Sequence, residues 1–154
     1  DSEVVVYCSV HEGFAAPILQ DFELDKKIKV RVFYDSQPSK SPEFFEKLSN
    51  GSEADVFWSA DPVRPFHLIT KGLVDPYRSP SAEGIPSDFK AADGTWTGFA
   101  ARARVLLVNK TKLAGAPAPR SIRDLTKESY RGRVAIANPL YGTPSMHITT
   151  LSVV

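Results

Sequence analysis

Between Glu3 and Lys71 short apolar runs alternate with stretches of helical periodicity. Glu3 to Tyr7, with three valines in succession, predicts a buried strand. Glu12 to Leu24 predicts a helix, because Phe14, Ile18, Leu19 and Phe22 fall on one face at a period near 3.6. Ile28 to Phe33 alternates apolar and basic residues, which predicts a strand with one face less buried. Ser41-Pro42-Glu43-Phe44 predicts a helix start, with serine as cap and proline in the first turn. Asp55 to Trp58 predicts a third strand, and Asp61-Pro62 caps a helix running to about Lys71, where Gly72 stops it. The order β-α-β-α-β-α predicts an α/β fold, a parallel or mixed sheet with helices on both faces.

The rhythm breaks from Gly72 to Thr95. Prolines at 76, 80 and 86 and glycines at 72, 84 and 94 predict a surface excursion. A loop of that length in a compact domain is functional or joins domains. Trp96 to Asn109 then predicts a stretch long enough to leave one lobe and enter another. Ser121 caps a short helix through Leu125, Arg133 to Ala137 predicts a strand, and Thr143-Pro144 predicts another capped helix start. The expected organisation is a first lobe over 1–97, a crossover strand over 98–109 and the opening of a second lobe over 110–154. Ser145 to Val154 ends without glycine, a basic last turn or a polar tail, so the chain is expected to be an amino-terminal fragment. Its incomplete second lobe is then expected to be covered by another copy or by a separate carboxyl-terminal chain.

Composition excludes several classes. The 154 residues, 42% of them hydrophobic, can bury a real core. Nineteen basic and eighteen acidic residues leave a charge of +1 with no basic stripe interleaved with aromatics, which argues against a nucleic-acid partner. No apolar run approaches the roughly 18 residues that span a bilayer, and the opening Asp1-Ser2-Glu3 is neither basic nor apolar, so a soluble chain is expected. The single cysteine, Cys8, rules out an internal disulfide.

The candidate chemistry sits where strands run into helices. Val4-Val5-Val6-Tyr7-Cys8-Ser9-Val10-His11 ends a strand on a metal-capable side chain just before a helix. Ala54 to Pro62 repeats that design, and two such edges side by side face one cleft at the carboxyl ends of the strands, where open α/β sheets bind ligands. A third transition, Asn138-Pro-Leu-Tyr-Gly-Thr-Pro-Ser145, suits an anion, since the free N–H groups of a starting helix attract negative charge.

Several blocks together resemble a known family. Val5-Val6-Tyr7 with His11, Ala54-Asp55-Val56-Phe57-Trp58, Gly72-Leu73-Val74-Asp75-Pro76-Tyr77, the Gly98 to Asn109 crossover and Arg131 to Pro139 are similar, in order and spacing, to bacterial extracellular solute-binding proteins of the ferric-iron-binding type. These are periplasmic receptors of ABC importers. The resemblance covers essentially the whole chain. It implies a type II periplasmic-binding-protein fold, two lobes closing on a ligand, of which this chain is about the first half. It also implies a periplasmic or membrane-tethered receptor that delivers its solute to a membrane permease, with ferric iron as transported ligand and no catalytic cofactor. By position it makes His11 a metal ligand, and Asp61 a second if the acidic residue after the third strand aligns there rather than at Ala60. The family's paired tyrosine ligands would lie beyond Val154. The 138–145 loop is where the family holds its synergistic anion; there Tyr141 can offer a phenolate to a metal, while Gly142 lies at the helix start and Thr143 can offer a hydroxyl to an oxyanion. Arg102 is a candidate anion contact and Trp58 a candidate cleft wall. Phosphonates, polyamines or other small solutes of the same fold are the alternative cargo.

Ferric ion favours oxygen donors and accepts imidazole, so one His and one Asp make half a coordination sphere, with the facing lobe, water or an anion supplying the rest. Each residue also has a plainer explanation. A loop histidine is commonly hydrogen-bonded or solvated, Asp61 is explained as a helix cap, Tyr141 and Trp58 as packing aromatics, and Arg102 and Arg104 as solvated. His67 and His147 read as structural. An enzyme using Cys8 and His11 is the reading from another class, against which stands a cysteine closing an apolar strand. The chain also has no glycine-rich phosphate cradle and no nucleophile elbow.

Overall fold

The computed structural model describes residues 2–35, 46–51, 53–101, 103–113, 115, 117–139 and 142–153, with only the backbone at 142 and 143. Strand β1 (Glu3–Cys8) lies between β2 (Lys29–Tyr34) and β3 (Val56–Trp58), parallel to both. Because β1 is the central strand, its backbone is paired on both edges and its valines are shielded on both faces. That is why Val4-Val5-Val6 can be a continuous apolar run rather than an alternating one. Val5 and Tyr7 face one way, onto Leu48 and Leu68. Val6 and Cys8 face the other, onto Ala15.

Helix α1 (Glu12–Lys26) covers the Val6 face. Ala15 is fully buried and Leu19 packs beside it, whereas Phe14, Ile18 and Phe22 are exposed. The face predicted from bulk is therefore corrected by one step around the helix. A methyl side chain lets the helix axis approach the sheet, and the larger residues are left on its flank. The α1 C-terminus is tied to β2 by Glu23, whose carboxylate accepts from Val30 N–H at 2.6 Å. Helix α2 (Val63–Thr70) covers the opposite face through Leu68 and stops at Gly72, whose positive φ of 68° suits glycine. Residues 46–49 are helical and supply Leu48 to the same face. The predicted helix start at Ser41–Phe44 lies outside the described residues.

The Gly72–Thr95 excursion contains two single 3-10 turns, Pro80–Ala82 and Ser87–Phe89, and closes on an antiparallel bridge between Lys90 and Thr97. Trp96 stacks edge-on against Phe66 of α2 at 5.8 Å, which docks the end of the excursion on that helix. Ser121 caps the predicted segment with a full capping box to Asp124, but the segment, Ile122–Thr126, is a 3-10 helix. A short helix α3 (Lys110–Leu113) precedes it and α4 (Gly142–Val153) follows.

Two predicted strands are not formed among the described residues. Neither the 98–109 crossover nor Arg133–Ala137 takes part in a ladder, and Phe99, Val105, Leu107, Val134 and Ile136 are exposed. An apolar run becomes a strand only when a neighbouring chain accepts its backbone hydrogen bonds. Among the described residues these runs find only isolated backbone partners, such as Gly98 N–H donating to the Phe89 carbonyl and Arg133 N–H to the Tyr130 carbonyl.

Candidate functional site

The carboxyl ends of β1 and β3 are stitched together. Past Cys8, Ser9 N–H donates to the Trp58 carbonyl at 2.9 Å. The Ser9 hydroxyl accepts from Ala60 N–H at 3.0 Å, joining loops 51 positions apart in sequence. Ser59 braces the second loop from within, its hydroxyl donating to the Asp61 carbonyl at 2.6 Å. Ser9, His11, Phe14 and Ala60 line an open cavity of about 570 Å3 at this edge. The expected meeting of the His11 loop with the 59–61 loop is therefore present.

Both candidate metal ligands at this edge are helix caps. Asp61 Oδ1 accepts from Val63 N–H at 3.1 Å and Arg64 N–H at 3.4 Å, which satisfies orphan donors of α2. His11 caps α1 in the same manner, its Nδ1 accepting from Gly13 N–H at 3.1 Å. The Phe14 ring stands edge-on to the imidazole at 6.0 Å. Behind the edge, Arg64 donates to Asp35 Oδ2 at 2.8 Å, and the Asp35 carboxylate is 4% exposed. This pair pins the first turn of α2 to the end of β2 and neutralises both charges next to the cleft.

Cys8 is fully buried. Burial pushes its thiol up from the ordinary value, with only a smaller opposing effect from the Val10 backbone, so the nucleophilic thiolate is disfavoured where an enzyme would need it. Trp58 packs into the core cluster around Cys8 and stacks on Phe99 at 5.5 Å. Tyr141 and Arg102 lie outside the described residues, as do the side chains at 142 and 143, so nothing describes how the anion loop meets this edge. Among the described residues no three His, Cys, Asp or Glu side chains gather as a metal-holding group. Sequence reasoning missed Ser9 as the stitch, His11 as a cap and the Arg64–Asp35 pair. Only the first has a sequence signal, a small hydroxyl residue at a strand end.

A parallel sheet with loops joined at its carboxyl edge around an open cavity is the arrangement at which open α/β folds bind ligands. Residues 52–151 match the family described as bacterial extracellular solute-binding protein, and the chain belongs to that family. It is 27% identical over 135 residues to the Fe(3+)-binding periplasmic protein of Serratia marcescens, covering 88% of this chain and 40% of that one. It is 28% identical over 138 residues to iron uptake protein A1 of Synechocystis sp., covering 87% and 37%. Among solved structures, the apo ferric ion-binding protein A of Pasteurella haemolytica superposes with a TM-score of 0.83 at 26% identity, covering 98% of this chain and 47% of that one. Ferric iron-binding protein A of Mannheimia haemolytica in an open conformation gives a TM-score of 0.74, also at 26% identity, covering 98% and 48%. The fold is that of type II solute-binding proteins, and the family is one of binding proteins rather than enzymes. The chain spans less than half the length of these relatives.

Proposed function

We infer that this chain is the first-lobe portion of a periplasmic receptor of an ABC importer, and that its cargo is ferric iron. The observation that carries this is the junction of the His11 loop with the 59–61 loop on one cavity, in a chain similar to proteins named for ferric binding. His11 supplies an imidazole nitrogen and Asp61 the carboxylate oxygen not spent on its helix. A hard trivalent cation needs further oxygen donors, and these come from a second lobe and from an anion held at 138–143 by Tyr141, Gly142 and Thr143, with Arg102 beside it. The lobe division at 98–109 belongs to this reading. So does a covering partner, a second copy or a carboxyl-terminal chain, over the apolar side chains exposed at 99–107 and 134–136.

Titration of the chain with ferric citrate, followed by calorimetry, tests the assignment. Because further donors come from a second lobe, ferric ion is expected to bind the parent only weakly, and His11→Ala to weaken it at least tenfold more without unfolding the chain. Equal binding by parent and variant removes His11 from the ligand set. A thermal shift with phosphate, a phosphonate or a polyamine and none with ferric citrate would transfer the cargo to that class, since a ligand at about a hundred times its Kd adds roughly 2.7 kcal/mol.

A further inference from the structure

The imidazole of His11 is already committed in the described structure. Its Nδ1 accepts the Gly13 N–H at 3.1 Å, so Nδ1 carries no proton and a neutral ring holds its one proton on Nε2. A metal ion takes an imidazole nitrogen that has a free lone pair. Nε2 gains one only if the proton moves to Nδ1, which would then point an N–H at the Gly13 N–H and break the cap. Ligation through Nδ1 spends the same lone pair that the cap uses. A ring that keeps one proton therefore cannot serve both. Asp61 differs, because Oδ1 alone caps α2 and the second oxygen stays available. Glycine at 13 is fitted to the capped ring, as a Cβ there would lie 3.3 Å from Nδ1.

We propose that His11 either caps α1 or holds cargo, so that metal capture in this cleft gives up the Gly13 N–H cap, while the His11 carbonyl keeps its bonds from Phe14 and Ala15 N–H. The proposal rests on the reading of His11 as a ligand. Capture is then coupled to a local change at Gly13, between the cavity-lining His11 and Phe14, while the α2 side of the cleft stays fixed.

The test uses the 15N-labelled chain and gallium(III) citrate, a diamagnetic stand-in for ferric ion. Long-range proton–nitrogen spectra of the metal-free chain are expected to show the Nε2–H tautomer. On adding gallium the ring signals should change and Gly13 N–H exchange should speed by about fivefold or more, the size of a lost cap, while Val63 N–H stays protected. A metal-free Nδ1–H tautomer overturns the proposal, as does a Gly13 N–H that stays protected while the His11 ring signals shift. Gallium that shifts the Asp61 region and leaves the His11 ring untouched removes instead the ligand reading beneath it. His11→Asn, which caps well and ligates poorly, should keep Gly13 protected with and without gallium. Loss of protection in that variant would place the release elsewhere and overturn the coupling.

Discussion

The chain contains two apolar quartets, Val4-Val5-Val6-Tyr7 and Val105-Leu106-Leu107-Val108, and they meet opposite fates. The first is the centre of a three-stranded parallel sheet, with Val5, Val6 and Tyr7 buried. The second joins no ladder, and Leu107 is 98% exposed. Among the described residues every buried hydrophobic lies before position 83. Hydrophobicity states what a segment would gain by burial, and the neighbours decide whether it is buried. Residues 3–75 bring their own neighbours, β2, β3, α1 and α2. Those from 98 on do not.

The largest expected contrast comes from cutting side chains in the two regions. Leu68, 3% exposed among Val5, Tyr7 and Leu48, should cost about 3 kcal/mol as Leu68→Ala, through lost transfer energy and the cavity left behind. Leu107→Ala should change unfolding by no more than about 0.5 kcal/mol. Denaturant unfolding of both variants checks this, and comparable losses would erase the distinction.

Next in size is the polar link at the site. Arg64→Ala takes the guanidinium from a nearly buried Asp35 carboxylate and should cost about 2 kcal/mol. It should also loosen the first turn of α2, visible as faster exchange at Val63 and Arg64.

The pH response should separate the regions more gently. In the first, the Cys8 thiol is raised by burial, so its folded value lies above its unfolded one, and the stability it contributes is present below about 9 and lost as pH rises through the shifted value. In the second, Asp124 is lowered to about 2 by its hydrogen bonds to Lys127 and to the Arg120 and Ser121 N–H groups. Its contribution is present above its unfolded value near 4 and lost as pH falls toward 2. Being solvent-exposed, it should move only local signals, and an NMR titration of its carboxyl carbon should give a midpoint near 2. A midpoint near 4 would mean the Ser121 capping box is not formed.

Much of the fold over residues 3–75 was legible because strand and helix periods are local. The three strands, α1 and α2 fall within a few residues of where the pattern puts them, and Gly72 ends α2 as predicted. Which face of α1 turns inward was not legible. The pattern weighs bulk, whereas close packing selected Ala15. The 98–109 and 133–137 runs form no ladder among the described residues, since strand propensity does not by itself supply a neighbour. At the site, the edge location of His11 and the 59–61 loop follows from strand-to-helix logic. The Ser9–Ala60 bond spans 51 positions and has no local trace, and a histidine cap lies outside the usual Ser, Thr, Asp and Asn preference.

Amide hydrogen exchange across the whole chain tests the account most directly. Val5 to Cys8 should exchange only through global unfolding, with Ser9 and Ala60 close behind because they bond across the two loops of the site. Residues 103–108 and 134–137, which join no ladder, should exchange far faster than the sheet. Strand-like protection at Val105 to Val108, or early exchange at Ser9 and Ala60, would contradict a joined carboxyl edge built on a self-sufficient sheet over residues 3–75.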